Sequence, residues 1–315
     1  MPSSTNTLLP GLVAGFAAAA FSALCYLITR HHGNRAGGGS LRLLVLGHVV
    51  MGLICLPVAW AIRPATLPAL ARWLPPLLGS TGCYLAGQGI VFATLKRMPA
   101  SRLAPLLGLK IVMLAGIVSL MPGDRLDAVQ WLAVGLSVAA ATMLQRAGGS
   151  APLSALAAVL TACLMFALSD LCIVQLINAL HTGGAGWWPE AERLHAGCFA
   201  LAITYVLCGL TVVTLLQRAL PCDRRDYSAA VQYAVAWLAG MVGLYTCFGL
   251  VGAVFGNILQ STRGIIAVGL GAVLAHLGWH DLEEQVDRGT LLRRLAAAAL
   301  MTAAIALYLA DVGSR

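Results

Sequence analysis

Apolar runs of about 20 residues recur along the whole chain, separated by short polar gaps. Each is long enough to cross a hydrocarbon core of about 30 Å as a helix. The pattern predicts ten spans, at roughly 8–29, 43–62, 73–95, 103–121, 128–145, 153–180, 195–216, 229–252, 255–279 and 291–311. RHHGNRAGGGS and HTGGAGWWPEAERL are the longest polar connections; QRALPCDRRDYS and HDLEEQVDRG are the most charged. Trp60, Trp73, Trp131, Trp187, Trp188 and Trp279 fall at or near span ends, where indole rings favour the headgroup level. Trp237 falls inside a span. Small residues four apart, as in GLVGAVFG (249–256), let helix backbones approach and predict a compact bundle.

Ten spans divide into five and five, and an odd number per half forces the halves to insert with opposite orientation. The expected fold is an all-α polytopic membrane protein, ten transmembrane helices arranged as two inverted five-helix repeats, 1–150 and 151–315. Sliding the chain by 153 residues tests this. Ala100 then meets Ala253, Leu106 meets Leu259 and Gly116 meets Gly269, identities that mean little in so apolar a chain. Two other matches mean more: Lys110 meets Arg263, and Tyr84 meets Trp237. In both halves an aromatic residue stands 26 positions before a basic one.

Composition changes the picture in few places. The chain is 59% hydrophobic and 10% charged, far below the roughly 25% charged residues of a soluble domain. Its formal charge of +8 would suggest nucleic acid in a soluble protein. Here most basic residues sit in the gaps, so topology accounts for them and no nucleic-acid partner is expected. Nine cysteines without a C-x-x-C pair fit neither a disulfide framework nor a zinc site, and no metal or cofactor is expected. The leader MPSSTNT lacks a basic region, so the first run reads as a retained helix. With a cytoplasmic amino terminus the inside gaps would hold six basic residues and the outside thirteen, so the charge rule favours both termini outside.

Lys110 carries the sharpest chemical signal. An exposed lysine at that depth costs about 3 kcal/mol, so near the middle of its span it should face protein, water or a ligand. If a two-fold axis relates the halves, Lys110 and Arg263 converge on one cavity, and Tyr84 and Trp237 line its walls. Ammonium and guanidinium groups hold a carboxylate or phosphate while rings cover its apolar part. Gln88, one turn from Tyr84, would add a hydrogen bond. Asp170 is the other ionisable group well inside a span, either a proton-coupling site or the counter-ion of Lys110. Plainer readings stand beside these. Arg263 near a helix end would snorkel to the interface, Tyr84 and Trp237 would be packing residues, and His48 is expected to be a hydrogen-bonded packing residue.

The stretch FATLKRMPASRLAPLLGLKIVMLAGIVSLMPGDRLDAVQWLAVGLSVAAATML (92–144) resembles the third-to-fifth-span region of EamA-type members of the drug/metabolite transporter superfamily. The shared elements are the aromatic–x–x–x–basic helix end, the Ala-Ser-Arg turn at 100–102, a Gly/Ala-rich span and the Gly-Asp pair at 123–124. LYTCFGLVGAVFGNILQSTRGIIAVGLGAVLAHLGWHDLE (244–283) looks like a second copy. The resemblance implies a ten-helix bundle that moves small metabolites by alternating access, often outward, with cytoplasmic termini, opposite to the charge count. It departs from the family where a proline step is usual, with Leu109-Lys110 and Thr262-Arg263 in its place, which makes an anionic substrate more attractive.

The function expected is secondary transport of a small anionic or zwitterionic metabolite, an amino acid, organic acid or phosphorylated compound, in a bacterial inner (plasma) membrane. Its partners would be the substrate, the bilayer and protons, and one chain holding both halves needs no dimer. Two rivals use the same cations. A lipid-carrier flippase requires a cavity open sideways and lined by basic residues. A lipid-phosphate enzyme needs clustered acids, and the densest group, HDLEEQVD (280–287), lies in a loop. No G-x-x-x-x-G-K-[ST] loop is present, so ATP hydrolysis is not expected.

Overall fold

The computed structural model describes residues 5–35, 39–95, 107–121, 126–145, 153–181, 189–219, 222–263, 265–266 and 288–313. Every regular element among them is helical. The ten helices that follow the predicted runs are α1 (Thr5–Arg35), α2 (Gly39–Ala61), α3 (Leu70–Leu95), α4 (Lys110–Leu120), α5 (Ala128–Gln145), α6 (Leu153–Leu180), α7 (Pro189–Val213), α8 (Arg224–Val251), α9 (Ala253–Ser261) and α10 (Arg288–Gly313). A 3-10 turn, Leu107–Leu109, leads into α4, and a one-turn helix, Leu216–Ala219, follows α7. Five of these helices, α1, α2, α6, α7 and α8, are long and apolar enough to cross a membrane; Leu107–Leu120 and Ala128–Ala140 are shorter apolar stretches.

Polar caps explain where α7 and α8 outrun their predicted spans. Pro189 opens α7 at the position where a missing N–H costs nothing. Asp223 caps α8: its carboxylate accepts from Asp226 N at 2.8 Å, and its own N–H donates to Asp226 Oδ2 at 3.3 Å. Asp226 Oδ2 also takes Arg42 Nη1 at 2.8 Å, pinning the start of α2 to the start of α8. Arg193 Nη1, near the start of α7, donates to Gly249 O at the end of α8 at 2.9 Å. Helices α2 and α7 therefore run antiparallel.

The fourth and ninth spans are less regular than predicted. Lys110 is the first residue of α4 rather than the middle of a continuous helix. Pro105, five residues upstream, has no N–H for a helix running through it. In the ninth span α9 stops at Ser261; Thr262 N donates to Leu259 O at 3.1 Å in a tight turn, and Ile266 N to Thr262 O at 3.0 Å resumes the α pattern. Both basic residues of the predicted pair thus follow directly on a tightened turn. Between α8 and α9 the chain bends at Gly252, whose φ of 84° is a conformation glycine adopts without a Cβ clash.

Lys96, Arg97, the 100–102 turn, the 123–124 pair, Trp187, Trp188, the rest of the ninth span (267–279) and the 280–287 loop lie outside the described residues.

Packing follows four long pairings: α1 with α8, α3 with α6, α2 with α7 and α5 with α10. Helix α4 adds to α6 on one side, and α9 adds to α1 on the other. The result is two three-helix groups, α3–α4–α6 and α1–α8–α9. One apolar core joins α1, α2, α3, α6, α7 and α8; a second joins α4, α5, α9 and α10.

Candidate functional site

The groups singled out by sequence gather in two adjoining buried layers. In the first, Lys110 Nζ donates to Asp170 Oδ2 on α6 and to Gln260 Oε1 on α9, each at 3.2 Å. Asn257 Nδ2, one turn before Gln260, donates to the same Asp170 oxygen at 2.8 Å and to Ala253 O at 2.9 Å. All four residues are at most 9% exposed. A lysine heading a helix meets the positive end of the helix dipole, and the Asp170 carboxylate offsets that repulsion. Arg263 follows directly on the tight Leu259–Thr262 turn. Its charge falls within electrostatic reach of Lys110.

The second layer is aromatic. His48 Nδ1 bonds Leu44 O at 2.8 Å and His48 Nε2 bonds Tyr84 OH at 2.9 Å. A carbonyl only accepts, so Nδ1 carries a proton; in the neutral ring Nε2 then accepts from the tyrosine. Trp237 Nε1 donates to Tyr205 OH at 2.6 Å. Tyr84 meets Trp237 with ring centroids 6.3 Å apart and Tyr205 at 6.0 Å, while His48 stacks on Tyr205 at 6.4 Å. Tyr233 stacks on Trp237 at 5.7 Å. Phe166 touches Tyr84 at 6.5 Å and lies one turn before Asp170 on α6, so the layers adjoin.

Gln88 is buried one turn beyond Tyr84, with no hydrogen-bond partner among the described residues. His48 is a fully buried, doubly hydrogen-bonded packing residue, as expected, and it also belongs to the ring cluster. Sequence reasoning missed Asn257, Gln260, Tyr205 and Tyr233. Two amides three apart inside an apolar run (GNILQST) were the available signal for the first two.

Contacts repeat in matched pairs. His48–Tyr84 joins α2 to α3 as Tyr205–Trp237 joins α7 to α8. Ser169 Oγ donates to Ser80 O at 2.9 Å between α6 and α3, and Cys25 Sγ to Tyr233 O at 3.9 Å between α1 and α8. Gly87 faces Phe166 as Gly240 faces Phe21.

Two cavities lie elsewhere. One, of about 730 Å³, opens between α4, α5 and α6 and is lined by apolar groups such as Met113, Ile117, Trp131 and Leu164, with no basic residue. The other, of about 540 Å³, sits at the end of α6 beside Arg72, Asn178 and His181. Neither is lined by Lys110, Arg263, Tyr84, Trp237, Gln88 or Asp170.

No curated protein matches the sequence. A crystal structure of a protein 15% identical in sequence superposes over 99% of this chain and 99% of its own, with a TM-score of 0.66, which establishes a shared fold. Residues 9–146, running from α1 to the end of α5, match the model of the EamA-like transporter family. Over that stretch the chain is similar to EamA-like transporters, and five of its described helices are long and apolar enough to cross a membrane.

Proposed function

We propose that the chain is a secondary active transporter that exports a small anionic or zwitterionic metabolite by alternating access across a bacterial inner membrane. Two inverted five-helix repeats, 1–150 and 151–315, build it. Lys110 and Arg263 bind the anionic group, Tyr84 and Trp237 contact the body of the substrate with Gln88 at its edge, and Asp170 couples transport to protons.

The matched contacts carry this reading. A pseudo-two-fold that exchanged the α1–α8 pair with α6–α3 and returned α2–α7 and α5–α10 to themselves would account for these pairings and for the two ring–ring hydrogen bonds. Antiparallel α2 and α7 agree with inversion. Substrate enters in this reading when the groups α3–α4–α6 and α1–α8–α9 part, and its anionic oxygens replace Asp170 at Lys110. The flippase alternative requires basic residues along a sideways opening, and the groove between α4, α5 and α6 carries none among its described lining residues.

The test is ligand-induced thermal stabilisation of the purified protein against amino acids, organic acids and sugar phosphates, repeated on Lys110→Ala and Arg263→Ala. Stabilisation grows with ligand concentration over Kd. Anions should raise the Tm of the wild type, and either variant should lose the response. A wild type that answers only to neutral or cationic compounds would sink the anion-binding assignment.

A further inference from the structure

One polar atom of the charge cluster has no assigned task. Asn257 is 1% exposed, and its Oδ1 is buried without a partner. Its orientation is fixed by its neighbours, because the amide nitrogen donates to both Asp170 Oδ2 and Ala253 O. Flipping the amide would set its oxygen against two acceptors. A buried acceptor left unpaired costs free energy in a bundle that otherwise satisfies the cluster. Asn257 also stands on α9, across the boundary between the two three-helix groups from Lys110 and Asp170. It is therefore placed to meet whatever enters beside Lys110.

Resting on the anion-binding reading above, we infer that Asn257 is a specificity-determining residue: its Oδ1 accepts a hydrogen bond from an N–H or O–H donor that the substrate carries next to its anionic group. The cluster contains cationic donors for the anion in Lys110 and Arg263, and Gln260 Oε1 already accepts from Lys110. Asn257 Oδ1 is the buried side-chain acceptor still without a donor there among the described residues. A plain carboxylate would bind the cations and leave this oxygen orphaned. An acid bearing a hydroxyl or amino group on the adjacent carbon would satisfy both. Sites that pair a buried polar group with a substrate donor discriminate strongly against analogues lacking it.

The experiment measures Kd by calorimetry on the purified full-length protein for matched acids: 2-hydroxypropanoate and 2-aminopropanoate against propanoate, and the same series one carbon longer. The wild type should bind at least one donor-bearing class more than about tenfold tighter than the plain acid. Asn257→Leu, close in shape and without the oxygen, should bring the ratio near one. The readout is a ratio between ligands on one protein, so lowered stability alone does not imitate it. Should Asn257→Leu fail to fold, Asn257→Ser, which keeps a hydroxyl acceptor, should retain a reduced preference. Equal binding of plain and substituted acids by the wild type would overturn the inference and leave the anion reading standing. A ratio unchanged in the variants would also overturn it, by locating the donor elsewhere. Absence of binding by every acid at any concentration would overturn the anion reading itself.

Discussion

Gly52 and Gly209 meet backbone to backbone where α2 crosses α7. A Cβ on Gly209 would lie 2.9 Å from Gly52 Cα, and one on Gly52 would lie 3.0 Å from Gly209 Cα. Each glycine stands one turn after a ring of the aromatic layer, His48 and Tyr205 respectively. The close crossing is what lets those two rings stack.

A side chain at either glycine must push two backbones apart, since no flexible group is available to yield. Gly209→Val should destabilise the protein by about 1–3 kcal/mol, seen as a lower Tm in detergent. Gly116→Ala is the control. A Cβ there meets nothing within 4 Å, so the change should be neutral or stabilise by up to about 1 kcal/mol through helix propensity.

Lys110 and Asp170 should behave as a unit. Their side chains are 11% and 7% exposed, so removing one partner strands a buried charge. Lys110→Met or Asp170→Leu alone should cost about 3–5 kcal/mol, and the double variant should recover much of that loss. A four-member thermal unfolding cycle measures the coupling. Additive losses would mean that the pair is not a unit.

The two ring–ring hydrogen bonds should carry comparable weight. Tyr84→Phe leaves His48 Nε2 without its partner, and Trp237→Phe removes the donor to Tyr205. Each should cost about 1–3 kcal/mol. Denaturant unfolding followed by circular dichroism compares them, and an effect confined to one variant would count against a matched role.

At the polar end of the bundle Asp226 should matter more than Arg42. Its carboxylate closes the cap of α8 and takes the guanidinium, while the Arg42 side chain is 28% exposed. Arg42→Ala takes the counter-ion from a 4% exposed carboxylate that keeps its cap bond, and should cost about 1–3 kcal/mol. Asp226→Ala loses the cap as well and should cost about 1–2 kcal/mol beyond that. Differential scanning fluorimetry on the two variants distinguishes the roles.

Much of the helical plan was legible in the chain because an apolar run of bilayer length has few other ways to fold. One slide of 153 residues paired Lys110 with Arg263 and Tyr84 with Trp237; the two rings meet with centroids 6.3 Å apart, and Arg263 is within electrostatic reach of Lys110. Other relations were hidden by their offset. His48 matches Tyr205 only at 157 residues, because His48 stands 36 positions before Tyr84 whereas Tyr205 stands 32 before Trp237: α2 runs on further past its ring than α7 does. Asn257 and Gln260 were missed for a different reason. The partner of a buried lysine is chosen by which helix lies across from it, and nothing local to Lys110 names α9. The place of Lys110 at the head of α4 was missed because hydropathy counts Leu107 to Leu109 as ordinary span residues, whereas the backbone tightens there.

The aromatic layer also divides its bonds unevenly. The His48–Tyr84 and Trp237–Tyr205 hydrogen bonds stay within the first and second halves of the chain, while Tyr84–Trp237 and His48–Tyr205 cross between them as ring contacts, and Tyr84 and Tyr205 both hydrogen-bond and meet edge to face. A hydrogen bond fails within an ångström of misalignment, but ring contacts hold over centroid distances from about 4.5 to 7 Å. Where the halves meet through rings alone, the contact tolerates small displacements that the hydrogen bonds elsewhere along the seam would not.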